Sequence, residues 1–142
     1  MTLRNFALVY GVVFLGVGVL GFIPGLLQPP PAGAPPLVVD ALYGYLLALF
    51  PVNVVHDLTY IAFGVWGLAA YRGATAALTY ARGVAIIYAV LTVMGLIPAL
   101  NTTFGLIPLF GHDVWLHALL AAGAAYFGWM APAAAEHGAS PR

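Results

Sequence analysis

The sequence predicts an all-α fold: an integral membrane four-helix bundle made of two tandem helical hairpins. Three observations predict it. Hydrophobic residues make up 63% of the 142 residues and charged residues only 6%, against roughly 25% charged in soluble domains. Four apolar stretches approach the ~20 residues that a helix needs to cross a bilayer. The second half of the chain also repeats features of the first.

The four predicted helices are the most apolar stretches of the chain, and none contains Lys, Arg or Glu. At about 1.5 Å per residue each is slightly short for a bilayer, so we expect flanking turns to complete the spans. The whole chain, residues 1–142, is predicted to be a single transmembrane domain, because its length leaves no room for a second core. The helices are predicted at residues 6–23, 54–71, 84–100 and 114–130.

The four arginines predict the orientation of the helices, because short cytoplasmic loops collect positive charge. Arg4 precedes the first helix, Arg72 and Arg82 flank the loop before the third helix, and Arg142 ends the chain. With four spans, all of these positions lie on one face. We therefore expect both termini to be cytoplasmic and Arg4, Arg72 and Arg82 to act as topology anchors.

The loop after the first helix is predicted to lie on the outer face. Residues 24–36 are rich in proline, which excludes a regular helix, so we expect an extended, exposed outer loop. Residues 37–50 are too short to span a bilayer and contain Asp40, which is typical of interfacial segments. They are predicted to form a short outer interfacial helix. A fifth span is the alternative, but it would split the arginines between two faces.

A tandem repeat is predicted from the similarity of the two halves. The sequence from Gly21 to Pro24 corresponds to that from Gly95 to Pro98. Each unit is a complete hairpin, so both copies share one orientation and are related by a pseudo-twofold axis along the membrane normal. Chance similarity between apolar helices is the alternative. The register pairs Phe6 with Tyr80, Ala7 with Ala81, Phe14 with Tyr88, His56 with His117, and Gly67 with Gly128.

Small residues on the predicted helices are expected to let neighbouring helices approach closely, as in other membrane bundles. The glycines with this predicted packing role are Gly11, Gly18, Gly21, Gly25, Gly64, Gly67, Gly123 and Gly128.

Several short stretches carry a resemblance to a known family. They are Phe6-Ala7-Leu8-Val9 with Gly11, Gly21-Phe22-Ile23-Pro24-Gly25, Leu49-Phe50-Pro51-Val52-Asn53 with His56, Gly64, Gly67-Leu68-Ala69-Ala70, Arg82-Gly83, and Trp115-Leu116-His117. With them the chain resembles a bacterial membrane-protein family known as domain of unknown function 4383. The resemblance implies four helices in a bacterial inner membrane and implies no activity. Members often carry a second His four residues after the first, and an Asn before Trp-Leu-His. This chain has Tyr60 and Val114 there.

Ionisable residues at membrane depth are costly, so His56, Asp57, His112, Asp113 and His117 are the candidate functional residues. We expect them at the outer ends of the second and fourth helices. Imidazoles of His56 and His117 on adjacent helices would suit the axial positions of a haem or, singly, a chlorophyll-type pigment. Together with Asp113 or His112, the two imidazoles could bind zinc or copper, and a metal site made of His112, Asp113 and His117 is a further prediction.

The same residues also have a structural interpretation. Asn53 and Asp113 are natural N-caps, and Asp57 would lie in a first turn, where the helix dipole favours an anion. Asp113 and His117 are four residues apart and can pair on one helical face. A proton or ion pathway is a third interpretation, disfavoured because no acid or base lies near the middle of a predicted span.

The sequence therefore predicts a small non-enzymatic membrane protein, a structural or accessory subunit of a membrane complex. The chain has no Lys, no Cys and one Ser, so catalytic nucleophiles are scarce. Its predicted partners are the lipid bilayer and other membrane subunits or further copies of itself. Nucleic acid is excluded because four arginines balance four acids without clustering. The alternative function is haem, pigment or metal binding through His56 and His117, whereas the leading interpretation requires no cofactor.

Overall fold

The computed structural model describes residues 1–131, which form a mostly helical structure with a small three-stranded sheet. The helices are α1 (Leu3–Gly21), α2 (Val54–Ala70), α3 (Ala74–Leu96) and α4 (His112–Ala125), and α4 continues as a π-helical segment, Tyr126–Met130. The strands are β1 (Leu27–Gln28), β2 (Gly44–Leu46) and β3 (Phe50–Val52). Arg142 lies outside the described residues, so the prediction for the C-terminus stays a prediction.

Helices α1 and α2 pack with their backbones in direct contact. A Cβ atom added to Gly67 would lie 2.7 Å from the Cα of Gly11, and one added to Gly64 would lie 2.6 Å from the backbone nitrogen of Leu15. Real Cβ contacts are not this short. Only glycine fits at these positions, which is how small residues bring helices together.

Of the other glycines with a predicted packing role, Gly123 and Gly128 lie at close contacts and Gly25 does not. Gly123 faces the hydroxyl of Tyr10, and Gly128 lies against the side chain of Arg82. Gly25 lies in an exposed 3₁₀ turn, Pro24–Leu26, and a Cβ there would meet no atom of residues 1–131 within 4 Å. Its predicted packing role is wrong, because α1 ends at Gly21 and does not reach it.

Helix α3 begins at Ala74, well before the predicted residue 84. Two polar side chains in its first turns donate hydrogen bonds to backbone carbonyls of α3 itself or of α2. Thr79 Oγ1 donates to the Thr75 carbonyl at 3.1 Å, and the Tyr80 hydroxyl donates to the Phe63 carbonyl of α2 at 3.2 Å. These bonds remove the cost of placing polar groups in a helix, so the helix continues through residues that resemble a loop in the sequence.

The predicted interfacial helix over residues 37–50 is wrong. Strands β2 and β3 form an antiparallel hairpin that pairs Gly44 with Val52 and Leu46 with Phe50. Strand β1 adds to the other side of β2. Pro51 lies in β3, an edge strand, where a missing backbone N–H is tolerated.

The two ends of the helix bundle differ in charge. At one end, Arg4 Nε donates to the Tyr71 carbonyl at 2.8 Å, and Arg82 Nε donates to the Gly128 carbonyl at 2.9 Å. Arg72 is exposed in the adjacent turn. We call this the arginine end. The opposite end, where β1 to β3 meet the first turns of α2 and α4, is called the sheet end.

Two helices, α1 and α3, are long and apolar enough to cross a membrane, and α2 is a shorter apolar helix. In the most apolar 18-residue stretch of each helix, only 28% of the residues of α1 and 33% of those of α3 are buried inside the molecule. Many of their apolar side chains are therefore exposed on the outside of the molecule, as those of Val12 and Val93 are.

Candidate metal centre

Asn53 fixes the start of α2 at the sheet end. Its side-chain oxygen accepts a hydrogen bond from the backbone N–H of His56 at 2.9 Å, which confirms the predicted N-cap. Its amide nitrogen donates to the carbonyls of Val39 and Leu106, each at 2.8 Å. One fully buried side chain therefore joins the helix to two loop segments and sets the position of His56.

Helix α4 begins one residue before Asp113, which determines what this carboxylate faces. Gly111 precedes the helix with φ of 66° and provides no side-chain cap, and His112 is the first helical residue. The predicted N-cap role of Asp113 is wrong, because the carboxylate lies inside the first turn and is fully buried. Since Asp113 and His117 are four residues apart, both lie on the buried face.

The side chains of His56, Asp113 and His117 meet in the interior, and we call them the triad. Each offers one nitrogen or oxygen atom, and these three atoms all lie within 4.8 Å of one another. Nδ1 of His56 is 3.6 Å from Oδ2 of Asp113, too long for a hydrogen bond. None of the three residues is more than 3% exposed. The triad is therefore a group of metal-ligand types drawn from two helices and shielded from solvent.

Five of the six polar side-chain atoms of the triad have no hydrogen-bond partners among the described residues. This holds for His56 Nδ1, both oxygens of Asp113 and both ring nitrogens of His117. A buried polar group without a partner costs roughly 1–3 kcal/mol. Three converging groups with free lone pairs are suited to holding a cation, which would satisfy several of these atoms at once.

Aromatic rings surround the triad. Tyr60 stacks on His56 with ring centroids 4.6 Å apart, and Tyr88 meets the ring of His117 edge-on at 5.1 Å. Phe14 lies beside both tyrosines. A tetrapyrrole bound between the two imidazoles would have to displace this shell, whereas a single ion requires no such displacement.

The remaining predicted site residues lie outside the triad. The imidazole of His112 is exposed and accepts a hydrogen bond from Trp115 Nε1 at 2.8 Å. The carboxylate of Asp57 is fully buried against Gly21 of α1. Of the predicted metal ligands, the structure brings His56, Asp113 and His117 together and leaves His112 apart from them, and metal binding itself stays a prediction.

Residues matched by the predicted repeat contact each other across the molecule. The rings of His56 and His117 are 6.0 Å apart, those of Phe14 and Tyr88 are 5.2 Å apart, and those of Phe6 and Tyr80 are 6.3 Å apart. Contact between a residue and its own counterpart is the arrangement expected around a twofold axis.

The aromatic shell of the triad was not predicted from the sequence. A signal existed for Tyr60, which follows His56 by four residues and so shares its helical face. No comparable signal existed for Tyr88, because its contact with His117 depends on how α3 packs against α4.

A family model matches most of the chain. The family is described as Domain of unknown function (DUF4383), and the match covers residues 4–130. The chain belongs to the DUF4383 family. The resemblance found in the sequence is thereby confirmed, and Asn53, the triad and all three strands lie within the matched residues. No curated protein and no solved structure matches the chain.

Proposed function

We propose that this DUF4383 member is a multi-pass membrane protein that binds one divalent transition-metal ion on His56, Asp113 and His117. The proposal depends on the triad, whose buried donor atoms lie within 4.8 Å of one another and lack hydrogen-bond partners among the described residues.

The membrane location is supported by the outward-facing apolar residues of α1 and α3. A buried core helix of a soluble protein would have most of its residues covered, and these two helices do not. The connecting segments at the sheet end, residues 22–53 and 97–111, contain no Arg or Lys. By the positive-inside rule the arginine end faces the cytoplasm and the triad lies near the outer surface.

The ligand types narrow the choice of metal. Two imidazoles and one carboxylate are the ligand set of many ferrous sites and are also common around zinc. The chain has no cysteine, so the thiolate ligands that favour cuprous ions are absent. With both imidazoles neutral and the Asp113 carboxylate ionised on binding, the triad would carry a single negative charge, which a divalent cation more than neutralises. Zinc or ferrous iron is therefore the proposed occupant.

Metal content of the purified protein tests the proposal. The full chain is purified in detergent without chelator, incubated with excess Zn²⁺ or, anaerobically, Fe²⁺, and desalted before elemental analysis. We expect about one ion per chain for the native sequence and almost none for His117→Gln and Asp113→Asn. The matched control is His112→Gln, which should retain the ion because His112 lies outside the triad.

Metal binding should also stabilise the fold, because the ion binds the folded state. At a free concentration of about 100 times the dissociation constant, the free energy of unfolding should rise by ~2.7 kcal/mol. Native protein that retains no ion after saturation, or triad variants that retain as much as His112→Gln, would overturn the proposal. A Soret absorption band that disappears in His117→Gln would support the tetrapyrrole alternative instead.

A further inference from the structure

A cavity of about 390 Å³ opens at the sheet end, next to the start of α4. Its polar lining residues are Gln28 of β1, Tyr45 of β2 and His112 of α4, and its apolar walls include Pro29, Pro31 and Leu49. Gln28 and Tyr45 are paired neighbours in the sheet. The cavity therefore has polar groups on two separate walls, one formed by the sheet and one by α4.

The neutral imidazole of His112 has its second ring nitrogen, Nε2, available as a hydrogen-bond donor. Nδ1 accepts the hydrogen bond from Trp115 Nε1, so the ring proton of the neutral imidazole lies on Nε2. A metal-ligating histidine has the opposite arrangement, because its second nitrogen normally donates to a carbonyl or carboxylate. His112 is therefore suited to donate to an acceptor atom on a ligand.

The electrostatics of the cavity favour an uncharged ligand. No Arg or Lys occurs in the segments that form the sheet end, so an anion would lack a countercharge. Burial, followed by the nearby charge of Asp113, raises the pKa of the Tyr45 phenol. The phenol thus remains protonated at neutral pH and is available as a second donor beside the Gln28 amide.

We propose that this cavity binds the head group of an uncharged, lipid-soluble dicarbonyl compound of the quinone type. One carbonyl oxygen accepts from Nε2–H of His112, and the other accepts from the Gln28 side-chain amide, with the Tyr45 phenol beside it. The prolines and Leu49 flank the apolar ring. Ligand cavities range over roughly 300–1,000 Å³, so a volume of about 390 Å³ suits a single head group. The proposal does not depend on the metal.

Fluorescence of Trp115 provides the test, because quinones quench indoles and this indole is hydrogen-bonded to His112. The full chain carrying Trp66→Phe and Trp129→Phe, so that Trp115 is the sole tryptophan, is placed in nanodiscs and titrated with ubiquinone-1. We expect saturable quenching. The variants His112→Leu and Gln28→Leu should each raise the dissociation constant by about tenfold, the loss of one hydrogen bond.

Thr75→Val, at the arginine end, is the control and should bind as the parent does. Gln28→Leu keeps the Trp115–His112 contact, so its effect cannot come from altered indole surroundings. Quenching that rises linearly with quinone, or that is unchanged in His112→Leu, would overturn the proposal. If His112→Leu weakened quinone binding and Gln28→Leu did not, the proposal would also be overturned, because the ligand would then be held through one carbonyl only. Displacement of the quinone by phosphatidylglycerol would indicate an anionic lipid site instead.

Discussion

Two buried polar side chains near the start of α2 use their hydrogen-bonding capacity differently. Asn53 makes three hydrogen bonds, and all of them hold backbone groups in place. Nδ1 of His56, in the first turn of the same helix, makes none within the described part of the chain. Polar groups buried for structural reasons are normally satisfied. The contrast assigns Asn53 a structural role. His56 differs from Asp57, whose buried oxygens also lack partners among the described residues, because only His56 lies with two further metal-ligand types.

Replacing Asn53 by alanine should destabilise the fold by roughly 2–4 kcal/mol. The loss of an N-cap accounts for about 1 kcal/mol, and the two carbonyls left without partners account for the rest. Asn53→Asp keeps the cap but places a buried carboxylate oxygen against the Val39 and Leu106 carbonyls, so its effect should be at least as large. Chemical unfolding in detergent measures these differences. The exposed Asn5→Ala is the control and should change stability by less than about 0.5 kcal/mol; an equal loss there would contradict the prediction.

The residues of the triad were predictable from the sequence, but which of His112 and Asp113 lies with the two imidazoles was not. Asp113 and His117 share a helical face because they are four residues apart. The outward direction of His112 depends on where α4 begins, and that start is set by Gly111. The contact between His56 and Asp113 crosses two helices, and no local pattern encodes it.

Helix α1 contains glycines that differ sharply in their surroundings. Gly11 lies against the α2 backbone, and a Cβ there would stand 2.8 Å from the nitrogen of Leu68. Gly16 is exposed, and a Cβ there would meet nothing within 4 Å. Substitutions at Gly11 and Gly16 can therefore separate the effect of helix packing from the effect of the low helix propensity of glycine.

Alanine at these two positions should have opposite effects. Gly11→Ala should destabilise the protein by about 1–3 kcal/mol, because α1 and α2 must separate. Gly16→Ala should leave stability unchanged or raise it by up to about 1 kcal/mol through helix propensity. Thermal unfolding in detergent, with helix content followed by circular dichroism, provides the comparison. If both variants are equally destabilised, the close approach of the two helices does not contribute to stability.

The existence of the four helices was predictable from hydrophobicity, whereas some boundaries and the sheet were not. The start of α3 was hidden because Thr79, Tyr80 and Arg82 resemble a loop, yet each bonds to a backbone carbonyl. The sheet depends on pairing between β1 and β2, which are far apart in the sequence. Apolar periodicity carries no information about such pairing.

At the scale of the whole molecule, the arginine end and the sheet end define two faces. Ala32 lies in the exposed segment after β1, and Thr75 lies in the exposed first turn of α3. The chain has no cysteine, so single cysteines at these positions are unambiguous reporters.

Cysteines introduced as Ala32→Cys and Thr75→Cys should be labelled from opposite sides of the membrane. In intact cells, a membrane-impermeant maleimide should react with the first, which lies on the proposed outer face, and spare the second. After the cells are opened both should react, which controls for accessibility. Labelling of both in intact cells would contradict the proposed topology.

The contacts between repeat-matched residues support a twofold relation between the hairpins, and the tandem repeat itself stays a prediction. So does association with other membrane subunits or further copies. The outward apolar faces of α1 and α3 offer surfaces for it. Co-purification from native membranes in a mild detergent would identify such partners.

The turn between β2 and β3 holds the rim of the cavity in an unfavourable backbone conformation. Leu47 and Ala48 have φ values of 53° and 61°, which Asn-Gly adopts more readily in such turns. Left-handed conformations cost roughly 1–2 kcal/mol per residue. Leu47→Asn with Ala48→Gly should therefore raise the free energy of unfolding by about 1–2 kcal/mol, measured by chemical unfolding. Ala48 lines the cavity, so the native turn keeps a methyl group there that a more stable Asn-Gly turn would remove.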